Sequence, residues 1–188
     1  YVDAVRVTKG DKTSIAKALA IYSAFTEGLQ LFSSFIILLN FPRFGKMKGM
    51  GQIITYSIRD ESLHVEAMTK LFREFIQENI DIWTDDFKGE IYQACREMVA
   101  LEDRFLDLVF EQGDIVGLTK KEMQQYIRYI ADRRLLQLGL KPNYKVKDNP
   151  LNWLDDVLGV EHQNFFEGRA TTYMKAGLRG NVEKVKFA

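Results

Sequence analysis

Apolar residues recur every three or four positions over most of the chain, which is the period of an amphipathic helix. From Thr13 to Asn40 they fall at Ile15, Leu19, Tyr22, Phe25, Leu29, Phe32 and Ile36, and they predict one long helix. The run Phe41-Pro42-Arg43-Phe44-Gly45 is expected to end it, because Pro42 pushes Phe41 out of the helical region and Gly45 permits a turn. A second helix is predicted from Met47 to Glu78. Its stripe reads Ile54, Ile58, Glu61, Val65, Met68, Phe72, Phe75, so an acid stands in the middle of an apolar face.

Thr84-Asp85-Asp86 offers a capping hydroxyl and acidic side chains where a helix N-terminus has free amides, so a third helix is predicted from there to Gln112, stopped by Gly113. Thr119 and Glu122 have the spacing of a capping box, and a fourth helix follows to Leu138, ended by Gly139 with Pro142 beyond. Its buried face reads Met123, Tyr126, Ile127, Ile130, Leu135 and Leu138. A short helical turn is expected over Leu151–Val157 and irregular or weakly helical chain from Gly159. No repeat and no convincing strand interrupts this pattern, so the expected class is all-α, with residues 1–188 forming a single domain.

Composition narrows the function classes. With 46% hydrophobic residues in 188, the chain reads as an ordered globular protein. Twenty-six basic residues cancel twenty-six acidic ones, leaving no net field to attract nucleic acid or an anionic membrane, and neither partner is expected. The apolar run Ile15–Phe41 has the length of a membrane span but carries Lys17, Glu27, Gln30 and Asn40, and a buried helix is the better reading. Cys95 is the only cysteine, which excludes an intrachain disulfide and a cysteine-rich zinc cluster and fits a reducing, cytoplasmic setting. The opening Tyr1-Val2-Asp3 shows no secretory leader and has the look of a cut start. Imidazole chemistry rests on His64 and His162 alone.

Glu61-Ser62-Leu63-His64 is an E-x-x-H pair, and residues three apart on a helix share a face, so a carboxylate and an imidazole can reach one ion. Alone, the spacing is weak, and a surface hydrogen bond explains it as well. The preceding helix adds weight. A short turn makes the first two helices antiparallel, and with Phe44 as midpoint Glu27 and Glu61 each lie seventeen residues away, level with each other about 25 Å from the turn. Glu27 stands among Phe25, Leu29, Leu31 and Phe32, and a carboxylate buried there needs a cation or a proton. The alternative is a Glu27 turned to solvent or paired with Arg59. Oxygen ligands with one imidazole suit iron or manganese better than zinc. Phe35, two turns beyond Glu27, is placed to keep the same site dry, although ordinary core packing accounts for it equally.

The segments Glu27-Gly28-Leu29-Gln30-Leu31-Phe32-Ser33-Ser34-Phe35 and Ser57-Ile58-Arg59-Asp60-Glu61-Ser62-Leu63-His64 together resemble the second metal-ligand half of the small, radical-generating subunit of class I ribonucleotide reductase. The connecting segments Asn40–Phe44 and Lys46–Met50 and the later segments Tyr126–Leu135, Asn149–Trp153 and Asn164–Arg169 resemble that family in the same order. The resemblance implies a ferritin-like helical bundle with a dinuclear iron or manganese/iron centre, which uses dioxygen to generate a radical species passed to a large subunit that reduces ribonucleotides to deoxyribonucleotides. It implies a homodimer as well. Position by position it puts Glu27, Glu61 and His64 on metal ligands, Asp60 on the aspartate of the radical-transfer hydrogen-bond network, and Phe35 on the hydrophobic pocket beside the cofactor.

The departures are as informative. A dinuclear bundle asks for a second E-x-x-H helix and another carboxylate helix, and the sequence holds one E-x-x-H. The family's radical tyrosine, its transfer tryptophan and its C-terminal docking tail have no counterpart here, and Tyr22, Tyr56 and Tyr173 do not replace the tyrosine. The chain is therefore expected to correspond to about the second half of the family's protein and to be inactive alone. Another ferritin-like dimetal-carboxylate oxidase and a metal-free helical scaffold are the competing readings.

Overall fold

Asp11 opens the first helix, its Oδ1 accepting from the Thr13 amide at 3.1 Å. The computed structural model describes residues 11–155. Helix α1 runs without a break over Lys12–Arg43, but its middle, Ile21–Gln30, is wound as a π-helix between α-helical Lys12–Ala20 and Leu31–Arg43. Helix α2 covers Lys48–Glu78, a 3₁₀ turn covers Ile80–Ile82, and α3 and α4 cover Asp85–Val109 and Lys120–Gln137.

Pro42 lies inside α1 and Phe41 stays helical, contrary to the expected break there. In the last turn proline's fixed φ suits the helix, and the helix ends one residue later in a Schellman motif. Gly45 N donates to Pro42 O at 2.9 Å and Lys46 N to Phe41 O at 3.0 Å, with Gly45 left-handed at φ 74°. The Pro42 ring rests on Gly51 of α2, where a Cβ would stand 2.3 Å from Pro42 Cγ. That contact sets the two helices side by side at the turn.

Helix α1 packs against all three of the other long helices, and α3 and α4 pack against each other. Its apolar composition follows from this central position: it is long and apolar enough to cross a membrane, yet half of its most apolar window is buried in the protein. Phe25, Leu29, Ile36 and Leu39 of α1, Phe72 of α2, Ile91 and Leu106 of α3 and Met123, Ile127 and Leu135 of α4 are fully enclosed. Trp83 joins α2 to α3, edge-on to Phe72 at 5.9 Å and to Phe87 at 6.1 Å.

The capping hydroxyls act as expected. Thr84 Oγ1 accepts from the Phe87 amide at 3.2 Å, and Thr119 and Glu122 form the reciprocal box. Helix α3 stops at Val109, three residues short of the expected end, because Phe110 leaves helical backbone before Gly113 turns the chain. Tyr22, expected in the apolar stripe, is exposed; in the α-helical turns before it Ala16 and Ala20 are buried while Ile15 and Leu19 are half-buried, so the buried face of α1 lies one position on from the expected stripe. On α2, Ile54, Met68 and Phe75 are half-buried. Residues 152–155 are helical; the rest of the expected turn to Val157, the segment from Gly159, His162, the 164–169 segment and Tyr173 lie outside the described residues. The chain divides into two compact units, Tyr1–Asn152 and Trp153–Ala188, and the four long helices among the described residues belong to the first.

Candidate metal centre

The antiparallel pairing of α1 with α2 brings Glu27, Glu61 and His64 together. One ligand atom from each, a carboxylate oxygen or an imidazole nitrogen, lies within 4.8 Å of the other two. Glu27 comes from the π segment, Glu61 and His64 from successive turns of α2. The backbone explains the α2 pair, since three residues advance about 300°, only about 60° short of a full turn, and so share a face. Glu27 meets them because the helices run in opposite directions from a turn near Phe44.

The three side chains differ in environment. Glu27 and Glu61 are half-buried, whereas the His64 side chain is 59% exposed. Glu61 Oε2 is itself buried and accepts no hydrogen bond; His64 Nδ1 stands 3.5 Å from it, beyond good hydrogen-bond geometry. A buried carboxylate oxygen without a donor is costly, and a cation held jointly with Glu27 and His64 would offset that cost. A small divalent ion bonds oxygen at about 2.1 Å, so ligands on its opposite sides stand about 4 Å apart. The ligand atoms, within 4.8 Å of one another, are spread on that scale. Two carboxylates and an imidazole fit iron or manganese, and no thiolate competes, Cys95 being buried on α3.

Phe35 and Asp60 stand outside this cluster. Phe35 is half-buried and packs edge-on against Phe32, with centroids 5.9 Å apart and planes at 73°. Asp60 is exposed, turned about 100° around α2 from its neighbour Glu61.

Two buried polar contacts to the ligand-bearing helix were not anticipated. Ser33 Oγ donates to Glu102 Oε2 of α3, and burial pushes the Glu102 carboxyl up to about 7, with the nearby Asp103 charge adding to the rise. Arg134 of α4 donates from Nε to the carbonyl of Gly28 at 2.7 Å, immediately after Glu27. A signal existed for both. Glu102 continues the apolar series Cys95, Met98, Val99, and Arg134 falls between Ala131 and Leu138 on the buried face of α4. Each is an ionisable residue at an apolar position, as Glu61 is.

Residues 2–150 match the family model described as ribonucleotide reductase, small chain. The chain is 47% identical over 169 residues to a protein of Invertebrate iridescent virus 3 named probable ribonucleoside-diphosphate reductase small subunit, covering 89% of this chain and 45% of the relative. It is 36% identical over 162 residues to the ribonucleoside-diphosphate reductase subunit beta of Chlamydia pneumoniae, covering 86% of this chain and 46% of the relative. Among solved structures, the ribonucleotide reductase R2 subunit from Clostridium botulinum superposes with a TM-score of 0.74 at 28% identity, over 79% of this chain and 46% of that one. The chain belongs to the family of ribonucleotide reductase small chains, and its fold is the helical, ferritin-like one of that family. It spans about half the length of the curated relatives it matches.

Proposed function

We propose that this chain carries one half of the dimetal-carboxylate site of a ribonucleoside-diphosphate reductase small subunit, with Glu27, Glu61 and His64 as ligands. The convergence of these three side chains around a buried carboxylate oxygen with no donor, in a chain of this family, is the observation that supports the reading. The centre is dinuclear iron or manganese/iron. When bound, it supplies the redox chemistry with dioxygen that produces the oxidant used by the large subunit on ribonucleotides.

The chain's own residues have narrower tasks. Glu27 and Glu61 provide negative charge from facing helices, and His64 provides a neutral nitrogen donor one turn away. Phe35, two turns along α1 from Glu27, lines the apolar surroundings and limits water. Asp60 lies on the route by which a proton and an electron are exchanged with the large subunit. The sequence contains one E-x-x-H, so a second carboxylate and histidine set from outside these residues completes the pair of metals. The protein works as a homodimer with the large subunit in the cytoplasm, without nucleic acid or membrane.

Titration of the 188-residue chain with Mn(II), followed by the EPR signal of the free ion, tests the ligand set. Saturable binding that Glu27→Ala and Glu61→Ala each weaken by about tenfold or more is the expected result. Binding indifferent to both substitutions would reject it.

A further inference from the structure

Arg134 reaches across from α4 to the backbone turn that carries Glu27. Its Nε donates to Gly28 O at 2.7 Å, its Nη1 donates to Gln137 Oε1 at 3.0 Å, and its guanidinium carbon lies 5.2 Å from the centre of the Phe32 ring. The residue is 8% exposed, and no carboxylate among the described residues pairs with it. A buried guanidinium with no counter-charge is expensive, and burial holds its pKa down to about 10. Stability alone gives no reason to keep such a group in place of a methionine of similar length.

The two sides of the contact are fitted to each other. Gly28 has no Cβ, and one added there would stand 2.7 Å from Arg134 Nε, 3.0 Å from its Cδ and 2.9 Å from Ser23 O. The carbonyl that Arg134 holds belongs to the π segment, where wider turns aim backbone groups away from their α-helical directions. The Gly28 carbonyl belongs to the Gly28–Leu29 peptide unit, one Cα beyond the unit that joins Glu27 to Gly28, so the bond from Arg134 anchors the turn of backbone from which the Glu27 side chain leaves the helix. Phe32, under the guanidinium, packs on Phe35.

We propose that Arg134 is a positioning residue for Glu27: through the Gly28 carbonyl it holds the π-wound turn so that the Glu27 carboxylate faces Glu61 and His64. This rests on the metal-site reading above. Arg134 touches no ligand atom, so its removal changes the geometry and strength of the site without removing a donor.

The test uses Co(II) on the 188-residue chain, because its visible absorption reports the coordination geometry as well as occupancy. Wild type is compared with Arg134→Met, Arg134→Lys, Glu27→Gln and Thr119→Ala, the last a control for lost stability far from the site. Arg134→Met is expected to weaken Co(II) binding about tenfold and to shift the spectrum, with Arg134→Lys restoring part of both and Thr119→Ala changing neither. A wild-type spectrum and affinity in Arg134→Met would overturn the proposal. If that variant does not fold, Arg134→Lys decides by the same readout: an altered spectrum supports positioning, an unaltered one rejects it. Glu27→Gln separates the two levels. Co(II) binding that survives Glu27→Gln unchanged, or its lack in wild type, rejects the ligand set itself, whereas loss in Glu27→Gln with no effect at Arg134 rejects the positioning role alone.

Discussion

The hydroxyl of Ser33 donates to the carboxylate of Glu102 across 69 residues of sequence, tying the helix that bears Glu27 to α3 inside the core. Because burial is the main cause of the raised Glu102 pKa, the native state holds a proton there that the unfolded chain releases near 4.5. Between about 4.5 and about 7 the native state therefore binds more protons, and stability falls as pH rises through that window. Thermal unfolding of the metal-free chain is expected to occur at a lower temperature at pH 8 than at pH 5. Glu102→Gln should flatten that slope; an equal slope in both proteins would show that another group sets it.

Asp132 organises the connection after α4. Its Oδ1 accepts from the amides of Asn143 at 2.7 Å and Tyr144 at 2.8 Å, and its Oδ2 from Val146 at 2.9 Å, around a left-handed Lys145 at φ 59°. Asp132→Ala strands three amides at once and is expected to cost roughly 3 kcal/mol or more in urea unfolding. Asp132→Asn keeps one acceptor oxygen and should lose less.

The Pro42–Gly51 contact predicts a coupled pair. Gly51→Ala would drive a Cβ into the proline ring and is expected to destabilise by about 1–3 kcal/mol. Adding Pro42→Ala removes the ring it meets. The double variant is then more stable than Gly51→Ala alone, and simple additivity in a double-mutant cycle would refute the clash.

With a single E-x-x-H, the 188-residue chain reconstituted with iron and dioxygen is expected to give no long-lived tyrosyl radical by EPR. A stable signal from a preparation of verified mass would contradict the assignment of the second ligand set to residues outside this chain.

The sequence by itself determined much of this protein. Three-and-four spacing located all four long helices, capping chemistry placed the starts of α3 and α4, and Gly45 and Gly139 marked turns with φ of 74° and 82°. These features are local: a period, a cap or a left-handed glycine depends on a few neighbouring residues. The juxtaposition of Glu27 with Glu61 was legible too, because a short turn converts sequence distance into spatial level. Tertiary structure alone decided the rest. Pro42 could stay helical because it sits in a final turn that Gly51 leaves room for, and Tyr22 faces solvent because the buried face of α1 runs through Ala16, Ala20 and Ala24. Ser33 with Glu102 and Gly28 with Arg134 lie 69 and 106 residues apart. No local rule pairs such positions; only the packing of α3 and α4 against α1 brings them into contact, and burial then gives those contacts their strength.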